Sequence, residues 1–256
     1  MEKETTYRYF IELKFDGTNY HGWQIQPNAI SIQQILQTAL STLLKEKTEL
    51  TGSGRTDTGV HATHYTAHFD SRSAPEKIKK IDLVYKLNRI LPPDIAIISV
   101  SQVKDDAHAR YSALSRSYEY FICRQKDPFY INRAWLMERN LDFDAMQEAS
   151  EILYEYNDFE AFTKANTQVN HFNCNILHAG WRREEHIWIF HIKADRFLRN
   201  MVRAIVGTIT DVGLGKISPE EMKEIIESKN RSNAGYSVPG CGLYFIGAEY
   251  PPEIYM

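Results

Sequence analysis

The sequence predicts an α+β protein of two similar halves, residues 1–104 and 105–256. Runs of alternating apolar and polar residues, the mark of half-buried strands, are interleaved with stretches whose apolar residues recur at helical spacing. The interleaving occurs twice along the chain, with no flexible linker and no convincing residue-level repeat. At 256 residues, 43% hydrophobic and 25% charged, the chain has the composition of a globular protein with a core of normal size.

In the first half, Tyr7 to Phe15 alternates and reads as a strand, and Asp16 to Gln24 breaks the pattern with two glycines. Ser31 with Gln34 three positions on forms a capping-box pattern, and Ile32, Ile35, Leu36, Ala39, Leu40, Leu43 and Leu44 mark one helical stripe. Val60 to Phe69 reads as a strand, Leu83 to Leu91 as a helix stopped by Pro92-Pro93, and Ile95 to Val103 as another strand. In the second half, Ser112 to Cys123, Ile176 to Arg182 and Ile187 to Ala194 read as strands. Asp142 to Leu153 reads as an acidic helix, Asp195 to Val212 as a strongly periodic one, and Ser218-Pro219-Glu220-Glu221 opens a last helix.

Three cysteines, Cys123, Cys174 and Cys241, imply no disulfide framework. No apolar run reaches membrane-spanning length, and Met1 to Thr5 lacks the signature of a signal peptide. The net charge of −3 argues mildly against a polyanionic partner, but its distribution is uneven. Asp142 to Glu160 holds seven acids and no Lys or Arg, whereas basic residues outnumber acidic ones two to one from Arg110 to Arg139 and from Arg182 to Arg203. Such segregation permits a basic cleft with an acidic back.

The stretch Gly52-Ser53-Gly54-Arg55-Thr56-Asp57-Thr58-Gly59-Val60-His61-Ala62 brackets one arginine and one aspartate with three glycines. Glycine permits close backbone approach, so Asp57 is either a turn residue bonded to nearby amides or a carboxylate presented for chemistry beside an arginine. Arg196, Arg199, Arg203 and Gly207 are expected on one helix face, a solvated basic edge unless Arg203 grips a carboxylate in a cleft. Arg116, Tyr118 and Tyr120 share a strand face, either a cross-strand aromatic ladder or a platform for a base. His171, Cys174 and His178 only superficially resemble a metal site, lacking a fourth ligand, and His61, His64 and His68 do not converge. Asp57-Thr58-Gly59 is also the tripeptide of aspartic proteases, but no second copy supplies the required partner carboxylate.

Six segments, in order, resemble the TruA family of tRNA pseudouridine synthases nearly end to end. They are Phe15-Asp16-Gly17-Thr18-Asn19-Tyr20-His21-Gly22-Trp23-Gln24, Gly54 to Ala62, Leu87-Asn88 with Leu91-Pro92-Pro93-Asp94-Ile95, His108-Ala109-Arg110 with Ser115 to Tyr120, Phe197 to Arg203 with Gly207-Thr208, and Gly242-Leu243-Tyr244. The departures are Tyr65 for a common glutamine, Ala107 for phenylalanine, Tyr156-Asn157-Asp158-Phe159, and Ser237-Val238-Pro239. None touches Asp57, Tyr118 or Arg203.

The resemblance implies mostly antiparallel sheets forming one extended sheet flanked by helices, with a central active-site cleft. It implies isomerisation of uridine to pseudouridine in the anticodon stem-loop of tRNA, at positions 38–40, by a cytoplasmic homodimer that needs neither cofactor nor metal. Asp57 would be the nucleophile, attacking C1′ or C6 or assisting loss of the C2′ proton. All three roles need an ionised carboxylate, which a neighbouring arginine, here Arg203, favours. Tyr118 would stack on the base and act as a general acid or base. Arg55 would fill the space of a flipped base or hold a displaced phosphate, and Arg110, Arg116, Arg196 and Arg199 would contact RNA.

Overall fold

β1 (Tyr7–Phe15) is the strand on which the first part of the chain is assembled in the computed structural model, which describes residues 5–164 and 171–256. The start of the stretch inspected for a signal peptide, residues 1–4, lies outside the described residues. The chain forms two compact units, Met1–Leu114 with Phe245–Met256, and Ser115–Tyr244.

In the first unit, α1 (Ile32–Leu44) follows β1, with the Ser31 hydroxyl accepting from the Gln34 amide at 3.3 Å. Its buried stripe is Ile32, Leu36, Ala39, Leu40 and Leu44, and Lys45 ends it in the left-handed region at φ 58°. β2 (Leu50–Gly52) pairs antiparallel with β3 (His61–Ser71), which pairs antiparallel with β1 from Tyr7↔Ser71 to Phe15↔Ala62. The short α2 (Pro75–Lys80) had no clear signal in the sequence; α3 (Leu83–Ile90) had, and ends at Leu91 before Pro92. β4 (Ile95–Val103) lies antiparallel on the other side of β1. Asn88 ties α3 to it by bonding both the N–H and the C=O of Ile97, at 2.7 and 2.9 Å.

The second unit opens with β5 (Ser115–Cys123), beside which β6 (Trp135–Leu136) runs parallel. α4 (Phe143–Glu151) is capped by Asp142, whose carboxylate accepts from the Asp144 and Ala145 amides, both at 3.0 Å. β7 (Ile176–Glu184) and β8 (Ile187–Ala194) form a hairpin with Glu185 at φ 54° in its turn, and β8 pairs antiparallel with β5. α5 (Met201–Gly213) is buried along most of its length, and Gly213 sits where a Cβ would lie 2.6 Å from Met146 of α4. α6 (Pro219–Glu227) has a complete capping box: the Ser218 hydroxyl accepts from the Glu221 amide at 3.2 Å and Glu221 accepts from the Ser218 amide at 2.6 Å.

Within this unit β7 ends the strand order β5-β8-β7. Side chains cover part of its outer edge. Gln147 accepts from the Trp181 amide at 2.9 Å, and the Tyr154 hydroxyl accepts from the Ala179 amide at 2.7 Å and donates to its carbonyl at 3.3 Å.

β9 (Leu243–Glu249) returns the chain to the first unit beside β3. The first unit therefore extends past residue 104. Ala107 and Ala109 are buried against Phe10 and Val103, with Tyr250 and Ile254 packed on the cluster, and Tyr250 donates to the Ala109 carbonyl at 2.6 Å. The fold is mixed, as the alternating strands and helical stripes predict, and mostly antiparallel, as the family resemblance implies.

Candidate active site

Asp57 stands where the first unit's short hairpin ends. The β2–β3 ladder carries one residue further through the Ser53 amide and the Thr66 carbonyl at 2.9 Å, after which the chain leaves the sheet. A turn brings it back, closed by the Val60 amide on the Asp57 carbonyl at 3.2 Å, with Gly59 at φ 75°. Asp57 is half-buried and Arg55 is exposed.

The Asp16–Gln24 loop folds over this turn, and two of its glycines are needed for the fit. A Cβ on Gly22, at φ 83°, would lie 2.1 Å from the Thr56 carbonyl oxygen, and one on Gly17 would lie 2.0 Å from the Val60 oxygen. The Gly59 amide reaches the Tyr20 carbonyl at 3.3 Å, and the Gly17 amide donates to Nδ1 of the buried His61 at 3.0 Å. Tyr20 in turn donates to Asp94 at 2.5 Å, a carboxylate that also raises the Tyr20 pKa together with burial, its larger cause. The motif glycines are thus packing requirements of the Asp57 turn.

In the second unit, the aromatic strand splits in use. Tyr120 is fully buried, donates to the Pro239 carbonyl at 2.9 Å, and has its pKa pushed well up by desolvation. It is a core residue. Tyr118 is only partly covered and meets Phe197 edge-on, ring centroids 5.1 Å apart at 89°. Arg116 donates to the Asp195 carbonyl at 2.8 Å.

The arginine face expected on one continuous helix is not there. α5 starts at Met201, after Asn200 has taken the left-handed conformation at φ 67°, so Arg196 and Arg199 precede it. The Asp195 side chain accepts from the amides of Asn175 and Arg196, at 2.8 and 2.7 Å, which stops the periodic run from starting a helix there. Arg196 lies 3.1 Å from the His171 ring, and Arg199 is exposed. Arg203 and Gly207, one turn apart, instead face the chain from Gly235 to Val238. The Arg203 Nε donates to the Val238 carbonyl at 2.6 Å, and a Cβ on Gly207 would lie 1.9 Å from the Tyr236 oxygen. The Ser237-Val238 departure therefore falls on the segment that orients Arg203.

Arg110 is exposed and lies over the Tyr111 ring at 5.5 Å, on a turn whose Arg110 and Tyr111 amides donate to His108 Nδ1 at 3.1 and 3.3 Å. His171, Cys174 and His178 go separate ways: Cys174 is buried, with its thiol pushed up to about 12 by desolvation, and His178 packs on His191 at 4.6 Å. Among the described residues no cluster of His, Cys, Asp or Glu is arranged to hold a metal ion, and no helix is long and apolar enough to cross a membrane.

A sequence profile described as tRNA pseudouridine synthase matches residues 13–112 and 156–251. The chain belongs to the tRNA pseudouridine synthase family. It is 51% identical over 249 residues to tRNA pseudouridine synthase A of Bacteroides fragilis, covering 97% of this chain and 98% of the relative. Identity to the protein of the same name from Bacteroides thetaiotaomicron is 49% over 251 residues, covering 97% and 92%. The one from Thermoanaerobacter sp. is 39% identical over 242 residues, covering 94% and 98%.

Within the family profile, the first matched stretch holds Arg55, Asp57 and Arg110, and the second holds Arg196, Arg199 and Arg203; Arg116 and Tyr118 fall between them. Sequence reasoning passed over Tyr65 except as a family departure. It is fully buried and bonded to the Asp57 loop, and its signal was an aromatic residue within β3, the strand that follows that loop.

Proposed function

We propose that this enzyme isomerises uridine to pseudouridine in the anticodon stem-loop of tRNA, at positions 38–40, as a cytoplasmic homodimer. The observation that carries the catalytic part is the Asp57 turn itself. A half-buried carboxylate is fixed by a loop whose Gly17 and Gly22 leave no space for a side chain. A protein that only bound RNA would gain nothing from presenting a carboxylate to phosphates. The anticodon stem-loop, the dimer and the compartment rest on the family resemblance.

The reaction breaks the N1–C1′ bond of uridine and forms a C5–C1′ bond, with the C5 proton lost and N1 gaining one. Electrons and atoms balance without an oxidant, so the work falls on positioning and charge. Asp57 is the nucleophile, at C1′ or C6, or the group that assists C2′ deprotonation. Arg203, whose Nε is held by the Val238 carbonyl at 2.6 Å, is the arginine that the family resemblance assigns to the reacting carboxylate. Tyr118, braced edge-on by Phe197, stacks on the base and acts in proton transfer.

Flipping the base out of its helix costs a few kcal/mol, roughly what stacking and a charged contact return. Arg55, exposed two residues before Asp57, takes the vacated place or holds the displaced phosphate. Arg110, Arg116, Arg196 and Arg199 contact the RNA backbone, which reads shape more than sequence.

The test is release of tritium from tRNA labelled at uridine C5. The native protein releases it, and Asp57→Asn binds tRNA as tightly but releases none above background, a fall of at least ~10³-fold. Normal turnover by Asp57→Asn removes Asp57 from the mechanism. Absence of release by the native protein, with binding intact, favours the RNA-binding alternative.

A further inference from the structure

Tyr65 lies on β3 with its side chain fully buried, its ring 4.3 Å from that of Trp23, 5.2 Å from Phe245 and 5.7 Å from Phe15. Its hydroxyl is the one polar atom of the ring, and it ends at Gly54. It donates to the Gly54 carbonyl and accepts from the Gly54 amide at 3.4 Å. Gly54 is where the chain departs from the β2–β3 ladder, one residue after the last ladder bond and three before Asp57.

The hydroxyl thus holds Gly54 at the residue where the ladder ends. Two hydroxyls of the loop do not help: those of Ser53 and Thr56 are buried and meet no hydrogen-bond partner among the described residues. Gly52 clears the path, since a Cβ there would lie 2.1 Å from the Tyr65 hydroxyl and 2.6 Å from the Trp23 ring nitrogen.

We infer that Tyr65 is a positioning residue for the reaction: its hydroxyl pins Gly54 and so sets where the Arg55–Asp57 segment leaves the sheet. The inference rests on the reading of Asp57 as the catalytic carboxylate. A buried, rigid aromatic anchors the pin from behind, so the hydroxyl has little freedom to follow a shifting loop. Removing only that oxygen leaves the Gly54 amide and carbonyl to seek other partners, and the loop moves with them.

Misplacement of a reacting group by about 1 Å costs on the order of 10²-fold in rate. Tyr65→Phe keeps the ring packing and deletes the pin. Steady-state tritium release should show kcat reduced by about 10- to 100-fold, with KM for tRNA changed by less than about twofold. Circular dichroism and tRNA binding, measured on the same samples, report whether the variant is folded. A folded Tyr65→Phe with kcat within about twofold of native overturns the inference, as does a variant whose loss lies in KM. Asp57→Asn, run alongside, separates the premise. If it is inactive while Tyr65→Phe is fully active, the pin is wrong and the catalytic reading stands; if Asp57→Asn is active, the premise has failed and the inference falls with it.

Discussion

His68 makes the first unit sensitive to acid, and the size of the effect follows from its surroundings. The ring is buried, accepts from the Ala109 amide at 3.1 Å through Nδ1, and lies 4.6 Å from His108. Desolvation, then the neighbouring His108 and Arg8, push its pKa from 6.5 down to about 4, against a smaller upward pull from Asp70. The folded protein therefore holds His68 neutral while the unfolded chain takes up a proton below pH 6.5. Stability from this group is complete above that value, falls as the pH drops toward 4, and changes no further below it. Between pH 7.5 and pH 5 the loss amounts to about 2 kcal/mol, which for a chain of this length lowers the melting temperature by roughly 4–8 °C.

His68→Asn places an uncharged oxygen near the Nδ1 position and keeps an acceptor for Ala109. It should remove that part of the acid sensitivity, so that native and variant differ in their pH 7.5 to pH 5 shift by the stated amount. Thermal unfolding of both at the two pH values measures it, and NMR titration of the ring reads the pKa directly. Identical shifts in the two proteins, or a ring that titrates above pH 6, would refute the reasoning.

Gly22→Ala should damage catalysis more than folding. A left-handed alanine costs roughly 1–2 kcal/mol, and its Cβ has to push the Thr56 carbonyl away beside Asp57. Tritium release and thermal unfolding together check this, and an active but less stable variant would count against it. Ser218→Ala should leave activity unchanged and lower stability by about 0.5–2 kcal/mol, because it removes the cap of α6. Chemical denaturation monitored by circular dichroism is the measurement.

Strands and capped helices were legible wherever local rules acted alone. Ser31, Asp142 and Ser218 all cap the helices that follow them, and the alternation from Ile187 to Ala194 is a strand with those limits. The Asp57 turn was legible as a tight turn, because glycines bracket its one carboxylate and Gly59 takes a positive φ there. The start of α5 was not. Leu198 fits the apolar period, but Asp195 bonds two amides and Asn200 turns left-handed, and both are tertiary or side-chain events that periodicity does not register. The same blindness applied to Tyr118 and Tyr120, which alternate identically in sequence while only Tyr120 meets the Pro239 carbonyl. Tyr65 escaped because its partner, Gly54, is set by the sheet register.

The side-chain cover on β7 has a consequence for how this protein behaves at high concentration. An open strand invites another strand, from a second copy or an unfolded neighbour, to continue the ladder. Gln147 and Tyr154 occupy the Trp181 amide and the Ala179 amide and carbonyl, three of the groups such a newcomer would pair with. A glutamine and a tyrosine from elsewhere in the unit do here what a charged or bulged edge does in other proteins. That part of the edge is thereby closed to strand addition, and changes at Gln147 or Tyr154 would reopen it.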